Sequence, residues 1–135
     1  MVEQLGIDTP GAGLHEITSG IAAIVAASKV EEGLCTLFVR HTSASLVIQE
    51  NADPSAKRDL ERWLGRLVPE GDPLYEHDTE GPDDMPSHIK AALTAVCVSI
   101  PIQNRRLVLG TWQGIYLWEH RRRGSRREVV VHIGD

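Results

Sequence analysis

Short β-forming runs recur along this chain without the regular strand–helix–strand rhythm that a parallel sheet requires. Leu34–His41, Ala44–Glu50, Thr94–Ile100, Arg106–Leu109, Thr111–His120 and Glu128–Ile133 read as strands, and Gly11–Glu16 as a loop or short strand. Pro101 is expected to close its strand, and Arg121–Arg127 to form a hairpin turn marked by Gly124 and Ser125. Three helices interrupt the series. Thr18 caps the first, where Ile21, Ile24 and Val25 recur at helical spacing through Ser28. Asp53-Pro54 opens the second, with Leu60, Trp63, Leu64 and Leu67 along one face and Pro69 as its stop. Pro86 opens the third, Pro86–Leu93. The class is therefore α+β: mostly antiparallel sheets packed as a sandwich, with two or three short helices. At 135 residues, 1–135 is one domain.

Composition narrows the function classes. Apolar residues make up 41%, enough for a core, and the net charge is −5, so a nucleic-acid coat or an anionic membrane is not an expected partner. No apolar run approaches the roughly 20 residues that span a bilayer. The opening MVEQLGIDTPGAGLHE lacks the basic and apolar blocks of a signal peptide. Cys35 and Cys97 both sit in apolar stretches and form no Cys-x-x-Cys pair, so both are expected as reduced, buried thiols of a cytoplasmic protein.

The charge is segregated. From Glu70 to Asp84 stand seven acids and no Lys or Arg; from Arg105 to Arg127 stand seven arginines and one acid, Glu119. Either these are solvated segments that face each other, or they mark a cation site beside an anion site. The acidic run lies in Pro69–Met85, long for a structureless loop in a compact domain, and it carries Tyr75 and His77.

Strand alternation places polar groups at the lip of the core. His41 continues the face of Cys35, Leu37 and Val39; Glu50 that of Leu46 and Ile48; Glu119 that of Ile115 and Leu117. His88, as the third residue of its helix, sits where free N–H groups favour the neutral imidazole a metal requires. Asp83 and Asp84 either cap that helix or orient a histidine. His41, His77 and His88 could supply three ligands to zinc, though their spacing matches no local motif, and His15, His120 and His132 compete. The hydroxyls and turn amides of Thr42 and Ser43 suit an oxyanion, and Arg121–Arg127 suits phosphate.

HTSASLVIQENADP (41–54), YEHDTEGPDDMPSHIK (75–90) and RLVLGTWQGIYLWEHR (106–121) together resemble the YjbQ family of small bacterial and archaeal proteins. The resemblance covers nearly the whole chain. It implies an α+β fold with sheets packed around a threefold axis, hence a homotrimer, whose interface would bury Trp63, Trp112 and Trp118. It carries over His41, Thr42, Ser43, Glu50, Asn51, Asp53, His77, His88, Gln113 and Glu119. It also implies a secondary thiamine-phosphate synthase activity, joining hydroxymethylpyrimidine diphosphate to a thiazole phosphate with release of pyrophosphate. On that reading the protein is a metal-dependent transferase acting on phosphorylated small molecules. His41, His77 and His88 hold a divalent cation, zinc or magnesium. Asp53 and Glu119 act as acid or base, and Thr42, Ser43, Glu50, Asn51, Gln113 and Arg121 hold substrate at a subunit boundary. A non-catalytic trimeric binding protein and a metal-dependent hydrolase are the competing readings.

Overall fold

The computed structural model describes residues 1–134. In chain order these form β1 (Val2–Asp8), β2 (Gly11–Glu16), α1 (Thr18–Ser28), β3 (Glu32–Val39), β4 (Ala44–Glu50), α2 (Pro54–Leu67), α3 (Asp84–Leu93), β5 (Cys97–Gln103), β6 (Arg106–Leu107), β7 (Gln113–Arg123) and β8 (Arg126–Gly134). Two antiparallel sheets result, in the orders β1-β8-β3-β5-β6 and β2-β7-β4. The class is α+β, as the strand pattern indicates.

The main core lies between the sheets. Cys35, Leu37 and Val39 of β3 meet Ile115 and Leu117 of β7, with Val129, Val131 and Ile133 of β8 and with Ile21 and Val25 of α1. A second cluster, Leu14, Leu64, Val68, Tyr116 and Trp118, lies on the other face of the smaller sheet. β7 is thus covered on both faces, which explains why its residues Ile115–Trp118 are all apolar or aromatic instead of alternating with polar ones. The same burial on both faces encloses Glu119 and His120.

Local chemistry accounts for the helix ends. The Asp53 carboxylate accepts the Ser55 N–H at 2.9 Å, and Pro54 occupies the first helical position of α2. Thr18 does not cap α1: its hydroxyl donates to Glu16 at 2.8 Å and accepts the Ile115 N–H at 2.9 Å, tying the helix to β7. α3 starts at Asp84, two residues ahead of Pro86, so His88 is its fifth residue instead of its third.

Other expectations are corrected. β1 carries weak alternation and was not legible as a strand; pairing with β8 makes it one. Arg121–Arg127 is not a hairpin, because β7 and β8 belong to different sheets. The chain changes sheet at Gly124-Ser125, beside a second crossing at Thr9-Pro10, and the two are stitched by Thr9 N–H to Ser125 O (3.0 Å) and Ser125 N–H to Thr9 Oγ1 (3.1 Å). Pro101 does not end β5. Its carbonyl accepts the Val108 N–H at 2.9 Å, so its missing N–H also faces the short edge strand β6, and the ladder with β3 loses nothing. Cys97 is exposed, whereas Cys35 is buried as expected. Trp63 and Leu67 of α2 are exposed, leaving Leu64 as that helix's buried residue.

The double crossing is sterically closed. A Cβ built on Gly124 would stand 1.7 Å from the Thr9 carbonyl oxygen, which is backbone and cannot swing away. Gly124→Ala is therefore expected to lower stability by about 1–3 kcal/mol. Urea denaturation checks this, and a variant as stable as the parent would show that the corner relaxes freely.

Candidate metal centre

Asp84 begins α3 and His88 follows four residues later, so both side chains share one helix face. His77 reaches the same point from the acidic loop. His77 Nε2 lies 2.7 Å, and His88 Nε2 3.1 Å, from Asp84 Oδ2. One donor atom from each of the three residues lies within 4.8 Å of the others. Asp84 is buried, His88 half-buried and His77 exposed, so the cluster opens to solvent on the loop side.

The second Asp84 oxygen is held by Arg121 Nη1 at 2.5 Å. The same guanidinium donates from Nε to Asp83 Oδ2 at 3.1 Å and from Nη2 to the Glu80 carbonyl at 2.9 Å. The Arg122 N–H adds a bond to Asp83 at 2.9 Å, and its side chain pairs with Glu70. The acidic and arginine segments thus do face each other, and Arg121 is occupied as the staple between them. Burial works against the Asp84 carboxylate, but the hydrogen bonds and the charges of His88 and Arg121 outweigh it and hold its pKa below the usual value. Asp83 is depressed likewise: burial opposes, while the Arg122 N–H and Arg121 prevail.

His88 Nδ1 lies 2.9 Å from the Thr42 carbonyl oxygen. A carbonyl only accepts, so Nδ1 carries a proton. In the neutral ring Nε2 is then a bare lone pair aimed at a carboxylate oxygen, an arrangement that needs a positive charge between the two. A second proton meets that need, and so does a metal ion. Histidine ligands characteristically donate their other ring N–H to a backbone carbonyl, and ligating carboxylates are hydrogen-bonded in turn. Both features are present, and two imidazoles with one carboxylate are a set that zinc and related divalent ions accept.

His41 does not join this cluster. Its Nε2 accepts the Glu128 N–H at 2.9 Å, which uses the lone pair a metal would need. Burial, then the Arg127 charge, lower its pKa, so the ring is neutral with its proton on Nδ1. His41 instead shares a groove of about 370 Å3 with Thr42, His88 and Val96. Ser43 bonds Arg127 Nη2 through its hydroxyl at 2.9 Å.

Glu119 is fully engaged. Arg127 grips it from Nε (2.7 Å) and Nη2 (2.5 Å), Thr9 Oγ1 donates to it at 2.7 Å, and the Arg121 N–H at 3.1 Å. Burial opposes its charge, yet these donors hold its pKa down. Such an anion organises its neighbours and has no free lone pair with which to take a proton. Asp53 is the exposed cap of α2, its pKa lowered first by the Ser55 N–H. Glu50 and Gln113 are paired at the far end of β4, and the Asn51 N–H donates to the Trp112 carbonyl at 2.9 Å there. The length of β4 separates that group from Ser43, about 20 Å along an extended strand. The residues assigned to substrate therefore fall into two groups at opposite ends of one strand.

Sequence reasoning placed Asp84 as a cap or an orienting group and did not include it as a ligand. The signal was available as Asp and His spaced i, i+4. The sequence also offers His120 as a competing ligand. It is buried, with Nε2 2.9 Å from Ser45 Oγ, and burial pushes its pKa down to about 3. His15 Nε2 bonds the Gly11 carbonyl at 2.8 Å, and His132 is exposed on β8. Among the described residues, no helix is long and apolar enough to cross a membrane.

Comparison with known proteins places the chain in a family. The model of the UPF0047 protein YjbQ-like family matches residues 3–135. A UPF0047 protein of Synechocystis is 58% identical over 131 residues, covering 97% of this chain and 89% of its own length. The UPF0047 protein YjbQ of Salmonella typhimurium is 47% identical over 122 residues, covering 90% of this chain and 88% of its own. Among solved structures, a YjbQ/UPF0047 family protein from Clostridium acetobutylicum superimposes with a TM-score of 0.89 at 36% identity, covering 98% of this chain and 99% of that one. A conserved protein from Thermus thermophilus superimposes with a TM-score of 0.87 at 35% identity, with the same coverage.

Proposed function

The chain belongs to the YjbQ-like UPF0047 family, and on that premise we propose that it is a divalent-cation-dependent transferase acting on phosphorylated small molecules. Its most concrete form is the thiamine-phosphate synthase reaction, in which hydroxymethylpyrimidine diphosphate and a thiazole phosphate are joined and pyrophosphate leaves. The observation that carries the proposal is the His88 Nδ1 bond to the Thr42 carbonyl, which leaves Nε2 facing Asp84 beside His77. His77, Asp84 and His88 would hold the ion, with Asp84 in the place first assigned to His41.

A bound divalent ion supplies positive charge where a pyrophosphate leaving group develops negative charge. The chain's own groups do the rest. Arg121 fixes the rotamer of Asp84. The neutral His41 offers its Nδ1–H as a donor in the groove beside His88, with Thr42 and Ser43 at its edge. Glu119 keeps Arg127 against Ser43.

The homotrimer is part of the same proposal. Trp63 and Trp112 are 53% and 63% exposed, as is the outer side of β3 at Leu34 and Phe38, areas a subunit interface would cover. Assembly would also let the Glu50–Asn51–Gln113 group and Asp53 of one subunit meet the Thr42–Ser43 group of another. A second reading, a metal- or metabolite-binding protein without catalysis, draws support from the saturated hydrogen bonding of Glu119, which removes it as a general base.

Calorimetric titration of chelator-treated protein with Zn2+ and with Mg2+ tests the site. Close to one ion per chain is expected for one of them, and His88→Ala is expected to weaken binding by about a hundredfold. Fewer than about one ion per ten chains, or an unchanged affinity in the variant, would overturn the metal proposal. Pyrophosphate release from the two phosphorylated substrates separates transferase from binding protein, and light scattering of the same sample reads the trimer.

A further inference from the structure

Two cavities adjoin the metal centre, and their linings differ in charge. His77 lines one of about 380 Å3 on the loop side, a volume within the range of small-molecule sites, about 300–1,000 Å3. His88 lines the other, the groove of about 370 Å3 that it shares with His41, Thr42 and Val96.

The loop-side cavity is built from the segment 71–85. Gly71 and Gly81 have φ of 79° and 102°, which lets that segment curl back on itself. Tyr75 is tied down at both ends: its N–H donates to the Asp72 carbonyl at 3.1 Å, and its hydroxyl to the Pro69 carbonyl at 3.3 Å. Its ring, Pro82 and Met85 form apolar wall around the cavity. A solvated acidic loop needs neither an aromatic ring nor a thioether, and here both line a concavity beside a candidate ligand.

Charge decides what can enter. No Lys or Arg lines this cavity. Arg121 is spent on Asp83, Asp84 and the Glu80 carbonyl, and Arg122 on Glu70. Asp72 and Asp78 are on the lining. Among the described residues neither forms an ion pair, and Asp72 uses only Oδ1, for the Leu74 N–H at 2.9 Å. A phosphate placed here would meet two carboxylates and no cationic side chain. The His88 groove is the opposite case: no carboxylate lines it, and the neutral His41 brings its Nδ1–H.

We propose that the loop-side cavity takes the organic part of the substrate, a planar ring that carries N–H donors, while the phosphates lie on the His88 side of the metal centre. This rests on the transferase reading and adds to it which part of the substrate enters which cavity. The ring lies against Tyr75, Pro82 and Met85, and Asp72 and Asp78 accept from its N–H groups. Of the two rings in that reaction, an aminopyrimidine fits this description. A thiazole, which has no N–H, does not.

The test uses the full chain with chelator present and follows the methyl resonance of Met85, one of two methionines in the sequence. The ligands are 4-aminopyrimidine, pyrimidine and inorganic phosphate. The Met85 methyl is expected to shift with 4-aminopyrimidine, with a Kd on the order of 1–10 mM for so small a ligand. Pyrimidine is expected to bind about fivefold or more weakly, since it lacks the donor that a carboxylate would accept. Replacing both acids, Asp72→Asn with Asp78→Asn, is expected to reduce that preference to under about twofold. Tyr75→Leu is expected to weaken both rings about fivefold. No Met85 shift with either ring overturns the proposal, as does a shift caused by inorganic phosphate alone. So does a preference that survives the double replacement, or binding that Tyr75→Leu leaves unchanged. With the ion chelated and no turnover read, this result and the metal and pyrophosphate-release tests stand or fall separately.

Discussion

Arg127→Met is expected to destabilise the protein by about 3–5 kcal/mol, the cost of leaving a buried carboxylate without its partner. Glu119 is 1% exposed and Arg127 6%, and their two-point contact sits at the corner where the chain passes between sheets. Removing the guanidinium also frees Ser43, whose carbonyl and hydroxyl both accept from it. For a domain of this size the melting temperature should fall on the order of 10 °C or more. Replacing both members together, Glu119→Leu with Arg127→Met, is expected to recover at least about half of the loss, because the double change removes the uncompensated charge as well as the attraction. The remaining deficit comes from Thr9 and the Arg121 N–H, which also bond Glu119. Calorimetric melting of the three variants decides the matter; an Arg127→Met protein within about 1 kcal/mol of the parent would show that water reaches Glu119.

Acid should destabilise the fold well above the carboxylate range. His120 is held neutral by burial, its pKa pushed down to about 3 from an ordinary 6.5. The unfolded chain can protonate this ring at pH 6 and the folded chain cannot. Protons therefore favour unfolding, and stability falls as pH drops from about 6.5 toward 3, by up to about 1.4 kcal/mol per pH unit. His41, whose pKa burial also lowers, acts in the same direction. Asp84, Asp83 and Glu119 add their losses below about pH 4, since folded carboxylates with depressed pKa values stabilise above the unfolded value and cease to do so as pH falls through the folded one. The measurement is urea unfolding at pH 7, 6, 5 and 4 for the parent and His120→Asn, with the His120 ring followed by NMR. A ring that titrates near pH 6.5, or a variant with the parent's pH slope, would refute it.

Much of this architecture is local chemistry. Asp53-Pro54 and Pro69 bracket α2 because a carboxylate satisfies a free N–H at one end and proline cannot continue a helix at the other. Ala44–Glu50 is a strand because Leu46, Val47 and Ile48 make a short, largely β-branched apolar run that ends at the polar Gln49 and Glu50. The expected and observed bounds of both elements agree. β1 was not legible, since Val2–Asp8 becomes a strand by borrowing the hydrogen-bonding edge of β8, more than a hundred residues away. Likewise, Gly124-Ser125 looks locally like any turn, and only the Thr9 contact across the corner makes it a change of sheet.

The candidate site divides along the same line. His77 and His88 were recognisable as candidate ligands from residue type and local setting. Whether Asp84 joins them depends on burial and on Arg121, which comes from a strand 37 residues further on. His41 was a reasonable ligand by strand alternation, which does place it at the lip of the core. Its lone pair is nevertheless spent on the Glu128 N–H, a group brought to it by the β3–β8 pairing.

By itself, then, the sequence determined the helices and most of the strands, the α+β class, the segregation of acids from arginines and the histidines worth attention, because each is set by chemistry within about one helical turn or one strand. The tertiary structure alone decided which strands share a sheet, which carboxylate stands between the imidazoles, and which charges are used up in pairs. Those outcomes depend on which distant backbone groups and side chains are brought within hydrogen-bond distance, and no local pattern encodes that distance.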